Sequence, residues 1–347
     1  MDKSILLSGY FGFDNGGDEA VLSAVVKMLL DILPDAPLIA LSANPAKTEK
    51  ANREYDLKAV DRKNFRAIKD ELQHAALFIS GGGSLFQDVT SVRSVYYYAA
   101  MLKMAAKANV PSVVLAQGLG PLNTFLGRRR TKKAMQNCEF LSWRDAESLN
   151  LAVKIGLPQN KMILTCDPVL NWNPDYAAKK HSGKKVLVAV RPWRNFAETE
   201  IVKAVDMLSA ENYDVVLLPF QKNVDEDLAN KINNALNNKC DILPYESPLQ
   251  LYSDIACADF LVGMRLHSLI MAKGAETACA AISYDPKIDS FAKRENIEVL
   301  GNAENVTAES IVAAVQKGCC ARVEKKDYSE QWQEIFQRIS DIYNRSL

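Results

Sequence analysis

Ser4-Ile5-Leu6-Leu7-Ser8 runs into Gly9-Tyr10-Phe11-Gly12-Phe13-Asp14-Asn15-Gly16-Gly17-Asp18-Glu19, and a helical period of apolar residues follows. The apolar run predicts a strand, the glycines a turn, and the periodicity a helix over about Asp18–Leu30. The same order recurs along the chain. Strands are expected at Pro37–Leu41, Ala75–Ser80, Ser112–Ala116 and Phe140–Ser142, with helices at Arg93–Lys107 and Asp145–Ile155. The pattern pauses at Asn171–Lys185, which holds Pro174, Gly183 and a Lys/His cluster. It then restarts: strands at Val186–Val190, Asp214–Leu218, Asp259–Val262 and Cys279–Ser283 alternate with helices at Glu198–Leu208, Asp225–Leu236, Ser247–Ala256 and Leu266–Lys273. Strands alternating with helices imply parallel sheets with right-handed crossovers. The expected fold is therefore α/β: two doubly wound, Rossmann-like domains over 1–172 and 185–325, a linker over 173–184, and a final amphipathic helix within 326–347. Such domains take ligands at the carboxyl ends of their strands, so the two halves are expected to face a central cleft.

Composition narrows the function. The 347 residues carry 42 Lys plus Arg and 42 Asp plus Glu, a formal net charge of zero. A nucleic-acid binder would show a basic excess, so any strongly anionic ligand must be met by locally gathered cations. Seven cysteines, an odd number without a C-x-x-C pair, argue against a disulfide framework and for a reducing cytoplasm. The start Met1-Asp2-Lys3-Ser4 lacks the features of a signal peptide, and no run of 18 apolar residues is present to span a membrane. Three scattered histidines and no Cys cluster make a zinc site improbable, and no metal is expected; no G-x-S-x-G elbow supplies a hydrolase nucleophile.

Candidate binding residues stand where strands end. Asn15 and Asp18 lie in the first glycine-rich turn, although Asp18 and Glu19 also suit plain helix capping. Gly82 and Gly83, in Gly81-Gly82-Gly83-Ser84, permit a backbone nest for an anion or a sugar hydroxyl, or simply a tight turn. Arg93 follows on the next helix, and Gln117 ends a strand in Gln117-Gly118-Leu119-Gly120-Pro121. Arg144, in Trp143-Arg144-Asp145, and Arg191, before Pro192-Trp193, occupy matching strand-end positions in the two halves. Lys287 follows the strand Cys279–Ser283. The strongest candidates are Arg265 and His267, in Gly263-Met264-Arg265-Leu266-His267-Ser268, at a strand-to-helix switch. Arginine offers a planar fork for phosphate or carboxylate, and histidine exchanges a proton near neutrality.

The ordered set G-Y-F-G-F-D-N-G-G-D-E, G-G-G-S-L-F-Q-D, Q-G-L-G-P, S-W-R-D and G-M-R-L-H-S resembles the polysaccharide pyruvyl transferase family, over Gly9 to about Lys287. The resemblance implies a two-domain GT-B-like fold and an enzyme that moves pyruvate from phosphoenolpyruvate onto two hydroxyls of one sugar. In the cell-surface branch, the acceptor is an N-acetylmannosamine of a lipid-linked disaccharide that becomes secondary cell-wall polymer. By resemblance, Arg265 and His267 match the R-L-H motif, Arg144 an arginine position, and Lys287 a lysine after the following strand. Phosphoenolpyruvate is then a co-substrate and no cofactor is implied. The acceptor falls to the N-terminal domain and the donor to the C-terminal one.

Two rivals share the plan: a sugar-nucleotide glycosyltransferase, and a sugar-phosphate binding protein without catalysis. The run Arg128-Arg129-Arg130-Thr131-Lys132-Lys133 has two readings, a solvated helix face or a contact with the anionic inner face of the cell membrane.

Overall fold

The computed structural model describes residues 3–89, 92–174, 184–319, 323–324 and 326–347. Of the expected linker, residues 175–183, with His181, lie outside the described residues. The chain divides into two compact units: Met1–Phe13, Asp18–Asn173 and Asp327–Leu347 form the first, Asp14–Gly17 and Pro174–Lys326 the second.

In the first unit the order is β1 (Ser4–Phe11), α1 (Gly16–Ile32, whose first two residues count with the second unit), β2 (Leu38–Ser42), α2 (Pro45–Ala51), β3 (Lys58–Asp61), α3 (Phe65–Gln73) and β4 (Ala75–Gly81). There follow α4 (Val92–Lys107), β5 (Ser112–Gln117), α5 (Phe125–Met135), β6 (Leu141–Trp143), α6 (Ala146–Lys154) and β7 (Met162–Leu164). All the strands pair in parallel, in the order β3-β2-β1-β4-β5-β6-β7. The order reverses between β1 and β4, which makes that pair the topological switch point.

The second unit repeats the plan with β8 (Lys185–Ala189), α7 (Glu198–Ala210), β9 (Asp214–Leu217), α8 (Val224–Ala235), β10 (Asp241–Ile242) and α9 (Pro248–Ala256). It continues with β11 (Phe260–Gly263), α10 (Leu266–Gly274), β12 (Ala278–Ser283), α11 (Pro286–Glu295), β13 (Glu298–Asn302) and α12 (Ala308–Gly318). Its parallel sheet runs β10-β9-β8-β11-β12-β13, so the switch point falls between β8 and β11. The fold is thus α/β with two Rossmann-like domains.

The central strands read as continuous apolar runs because helices cover both faces: every residue of β4, β5 and β11 is buried. The edge strands β3 and β13 are half-exposed, and β10 has only two residues. They pair on one side only and need no apolar run, which is why sequence periodicity passes over them. Local side chains set the helix starts. Asp145 caps α6 by accepting from Ser148 N at 2.7 Å, and Asp285 caps α11 by accepting from Lys287 N at 2.9 Å.

The last helix, α13 (Ser329–Ser346), belongs to the first unit. Trp332, Ile335, Ile339 and Ile342 form its buried stripe. The indole N–H of Trp332 points to Cys166 Sγ at 3.3 Å, and the Tyr343 hydroxyl donates to the Lys3 carbonyl at 2.8 Å. Among the described residues, no helix is long and apolar enough to cross a membrane. Since Trp332 is 1% exposed, Trp332→Ala is expected to destabilise the first unit by about 3–5 kcal/mol, read from urea unfolding. A loss below about 1 kcal/mol would mean that the helix is not part of that core.

Candidate functional site

The switch point of the second unit gathers the strongest sequence candidates. Arg265 follows β11 and is the N-cap residue of α10. It is 8% exposed, and its guanidinium lies edge-on to a fully buried carboxylate: Nε donates to Asp225 Oδ2 at 2.8 Å and Nη2 to Asp225 Oδ1 at 2.6 Å. Nη2 also donates to Gln221 Oε1 at 3.0 Å. Asp225 Oδ2 is held in turn by the N–H groups of Phe220 (3.1 Å) and Gln221 (3.0 Å). This bidentate clamp fixes the plane of the guanidinium. Nη1 has no hydrogen-bond partner among the described residues. Neither Asp225 nor Gln221 is visible as a partner in the sequence, because the contact spans forty residues and no local motif marks it.

His267 is half-buried in the first turn of α10. Its ring lies against Gly17, where a Cβ would stand 2.3 Å from Nδ1. The first glycine-rich turn therefore contributes to this unit: Gly16 N donates to the Phe220 carbonyl at 2.8 Å, Asn15 bridges Gln221 in antiparallel fashion, and Asn15 Oδ1 accepts from Gly17 N at 3.2 Å. Gly17 is needed for the space it leaves. Ser268, fully buried, donates its hydroxyl to the Arg265 carbonyl at 2.6 Å and locks the turn.

Arg191 follows β8, and Lys287 lies in α11, the helix that follows β12. Arg191 donates to the Tyr284 hydroxyl at 3.1 Å and lies over the rings of Tyr284 and Trp193. Trp193 is 42% exposed. Lys287 is half-buried at the second position of α11. Because β8, β11 and β12 are consecutive in the sheet, these residues all stand at carboxyl ends of adjacent strands.

The first unit builds a parallel arrangement around Arg144, which is 6% exposed after β6. Nη1 donates to the buried Asp167 at 2.9 Å, Nη2 to Ser84 Oγ at 3.2 Å, and Nε lies 3.6 Å from Asp145. Asp145, next in sequence, caps α6, and the carboxylate nearer to the guanidinium is Asp167. A Cβ at Gly118 would sit 2.6 Å from Ser84 Oγ and 3.0 Å from Arg144 Nε, so the glycine admits this cluster. Gln117 is fully buried, and its amide atoms have no hydrogen-bond partner among the described residues. Gly82 and Gly83 adopt φ of +76° and +66°, which favours glycine, and a Cβ at Gly83 would lie 2.8 Å from Asp18 Oδ1. Glu19, buried, closes the first turn by accepting from Gly12 N and Phe13 N at 2.7 and 3.2 Å. Arg93 is exposed in the first turn of α4.

Three further residues gather near the carboxyl ends of β1 and β3 that the sequence reading did not name as binding candidates. Tyr10 and Phe13 stack 4.0 Å apart with 41% and 36% exposure, and Arg62 lies over Phe13 at 5.1 Å and over Tyr97 at 4.2 Å. Burial, then the charge of Asp18, raises the Tyr10 hydroxyl above its ordinary pKa, against the pull of Arg62. Among the described residues, no group of three or more His, Cys, Asp or Glu is placed to hold a metal ion.

Gly17→Ala is expected to displace the His267 imidazole and lower kcat at least about tenfold, a change of ~1.4 kcal/mol in barrier. In a His267→Gln background the same change should cost little, because the displaced group is already gone. Equal losses in both backgrounds would show that Gly17 acts elsewhere.

The family model described as polysaccharide pyruvyl transferase matches residues 15–286. No curated protein matches by sequence. Solved structures with a similar fold include the UDP-GlcNAc 2-epimerase of Methanocaldococcus jannaschii, 12% identical with a TM-score of 0.66 over 98% of this chain and 99% of that one. The UDP-GlcNAc 2-epimerase of Neisseria meningitidis bound to UDP-GlcNAc is 10% identical, with a TM-score of 0.62 over 97% and 100%. Anabaena Alr3699/HepE in complex with UDP and glucose is 11% identical, with a TM-score of 0.60 over 98% and 100%. At these identities the likeness is one of fold, the two-domain GT-B-like architecture.

Proposed function

The chain belongs to the polysaccharide pyruvyl transferase family, and from that premise we propose that it moves pyruvate from phosphoenolpyruvate onto two hydroxyls of an N-acetylmannosamine-type sugar in a lipid-linked cell-wall glycan precursor. The observation that carries this reading is the clamped guanidinium of Arg265 beside His267 at the head of α10. Phosphoenolpyruvate presents a phosphate and a carboxylate and no neutral handle. A planar guanidinium, a helix N-terminus and a lysine at the next strand end suit those two groups.

In the proposed reaction, Arg265 and Lys287 hold the anionic ends of the donor, and Arg144 also serves substrate binding. A proton is delivered to the methylene carbon of the enol, which becomes a methyl group and leaves an oxocarbenium-like centre at C2. One sugar hydroxyl adds to C2 and loses its proton. The C2–O bond to phosphate then breaks, and phosphate leaves with the bonding pair. The neighbouring hydroxyl adds, loses its proton, and closes the cyclic ketal. His267 is assigned the proton transfers, since imidazole ordinarily titrates near neutrality. The pyruvyl group comes from the donor itself, so the scheme needs no cofactor.

A phosphate-release assay with phosphoenolpyruvate and an N-acetylmannosamine-containing disaccharide tests the proposal. Release must depend on both compounds. Nucleotide release from a UDP-sugar instead would assign a glycosyltransferase. His267→Gln is expected to lower kcat about 10²-fold or more and to remove one limb of the pH–rate profile. An unchanged kcat with a raised KM for phosphoenolpyruvate would leave His267 as a ligand only. Lys287→Ala should mainly raise that KM.

A further inference from the structure

The basic run singled out in the sequence lies on α5, and the structure adds apolar side chains to it. Helix α5, Phe125-Leu126-Gly127-Arg128-Arg129-Arg130-Thr131-Lys132-Lys133-Ala134-Met135, contains no acidic residue. Gly127, Thr131 and Met135 face the first unit. At 100° per residue, the opposite side of the helix carries Phe125, Leu126, Arg129 and Lys133. Phe125 is 74% exposed and Leu126 60% exposed, so two large apolar side chains stand in water beside two cations on the same face.

This end of the helix is held firmly. Both carboxylate oxygens of Asp88 are engaged: Oδ1 accepts from Asn123 N at 2.6 Å, and Oδ2 from Thr124 N at 2.8 Å and Thr124 Oγ1 at 2.6 Å. Burial pushes the Asp88 carboxyl up, but these hydrogen bonds outweigh it and leave its pKa below the ordinary value. Val89, the next residue, is 61% exposed. Thr124 caps the helix by accepting from Gly127 N at 3.0 Å. On the flanks, Arg128 donates to the Leu122 carbonyl at 2.7 Å, and Arg130 stacks on Tyr96 at 3.6 Å. Arg129 and Lys133 remain exposed on the outward face.

We propose that this face of α5 docks the protein on an anionic lipid bilayer, with Phe125 and Leu126 entering the interface and Arg129 and Lys133 meeting the headgroups. The charge complementarity is one-sided: five cations and no acid on one helix fit a surface of lipid phosphates. Apolar tips beside cationic stems are the side-chain mixture that an interfacial helix presents to a bilayer. A purely solvated helix gains nothing from holding Phe and Leu at exposed positions. The inference does not depend on the proposed reaction, though a lipid-linked acceptor would be reached from such a surface.

Co-sedimentation of the full chain with phosphatidylglycerol–phosphatidylcholine vesicles tests it. Binding is expected at 0.1 M salt, and should be lost on pure phosphatidylcholine and weakened at 0.5 M salt. The Arg129→Gln/Lys133→Gln variant should partition about thirtyfold more weakly, at roughly fivefold per cation near the surface. The Phe125→Ser/Leu126→Ser variant should lose about tenfold, with the salt dependence retained. These positions are exposed, so both variants should keep the wild-type melting temperature. No sedimentation of the wild-type chain, or binding that both variants leave unchanged, would overturn the proposal. So would wild-type self-association that Phe125→Ser/Leu126→Ser abolishes without any vesicle binding, which would make the patch a contact between copies. None of these readouts uses phosphate release, so this inference and the proposed reaction can fail separately.

Discussion

The site of the second unit depends on one interaction, the buried pair between Arg265 and Asp225. Taking a guanidinium out of water is costly, and Asp225 offsets that cost only because backbone N–H groups of Phe220 and Gln221 fill its remaining lone pairs. Such a pair is a poor device for stability, since well-packed apolar residues would often serve as well. What it supplies is direction. Two parallel N–H···O bonds leave the guanidinium one orientation and turn the remaining edge away from Asp225. The first unit also pairs a buried arginine, Arg144, but through single hydrogen bonds to Asp167 and to Ser84 rather than a bidentate clamp. In both units the arginine follows a strand and the carboxylate heads a helical segment, Asp167 at Pro168–Asn171 and Asp225 in α8.

These arrangements explain which parts of the molecule were legible in the sequence. Strand-to-helix alternation is a local property, so β1, β4, β5, β8, β11 and β12 could be read from apolar runs and glycine turns, and Arg144, Arg191, Arg265 and Lys287 from their places after those runs. The edge strands carry no such run. Lys58-Ala59-Val60-Asp61 has only two apolar residues in the middle, because an edge strand is not sandwiched between layers. Asp225 was read as a helix start and nothing more. Its task is set by a guanidinium forty residues later, and no spacing rule predicts that pairing. Gly17 is a sharper case. Its glycine is dictated by the ring of His267, 250 positions further along the chain, and a sequence shows only that a turn residue precedes a helix.

Glycine has two distinct uses here, and they should not be merged. At Gly82 and Gly83 the backbone has positive φ, and a side chain would be strained there whatever the space. At Gly17 and Gly118 the limit is room: the missing Cβ leaves a place for His267 in one case and for Ser84 and Arg144 in the other. The first use shapes a turn and the second admits a functional side chain. A reading based on turn chemistry treats both alike, which is why the sequence named Gly82 and Gly83 but passed over Gly17 and Gly118.

A chain of zero net charge would hold the proposed, strongly anionic donor through a few placed groups rather than through its overall charge. Arg265 and Arg144 each come with a carboxylate partner, so neither adds a bare positive charge. For the proposed donor, selectivity would rest on oriented N–H groups of the second unit, the free edge of the clamped Arg265 guanidinium and the first turn of α10, since the head of α11 is already capped by Asp285. Oriented donors of this kind act only on an anion of matching shape at hydrogen-bonding distance. Bare cations instead act over roughly 10 Å at 0.1 M salt and attract any polyanion. The exposed cations Arg129 and Lys133 on the outward face of α5 are of the second kind, and a broad anionic surface is what the proposed docking would offer them.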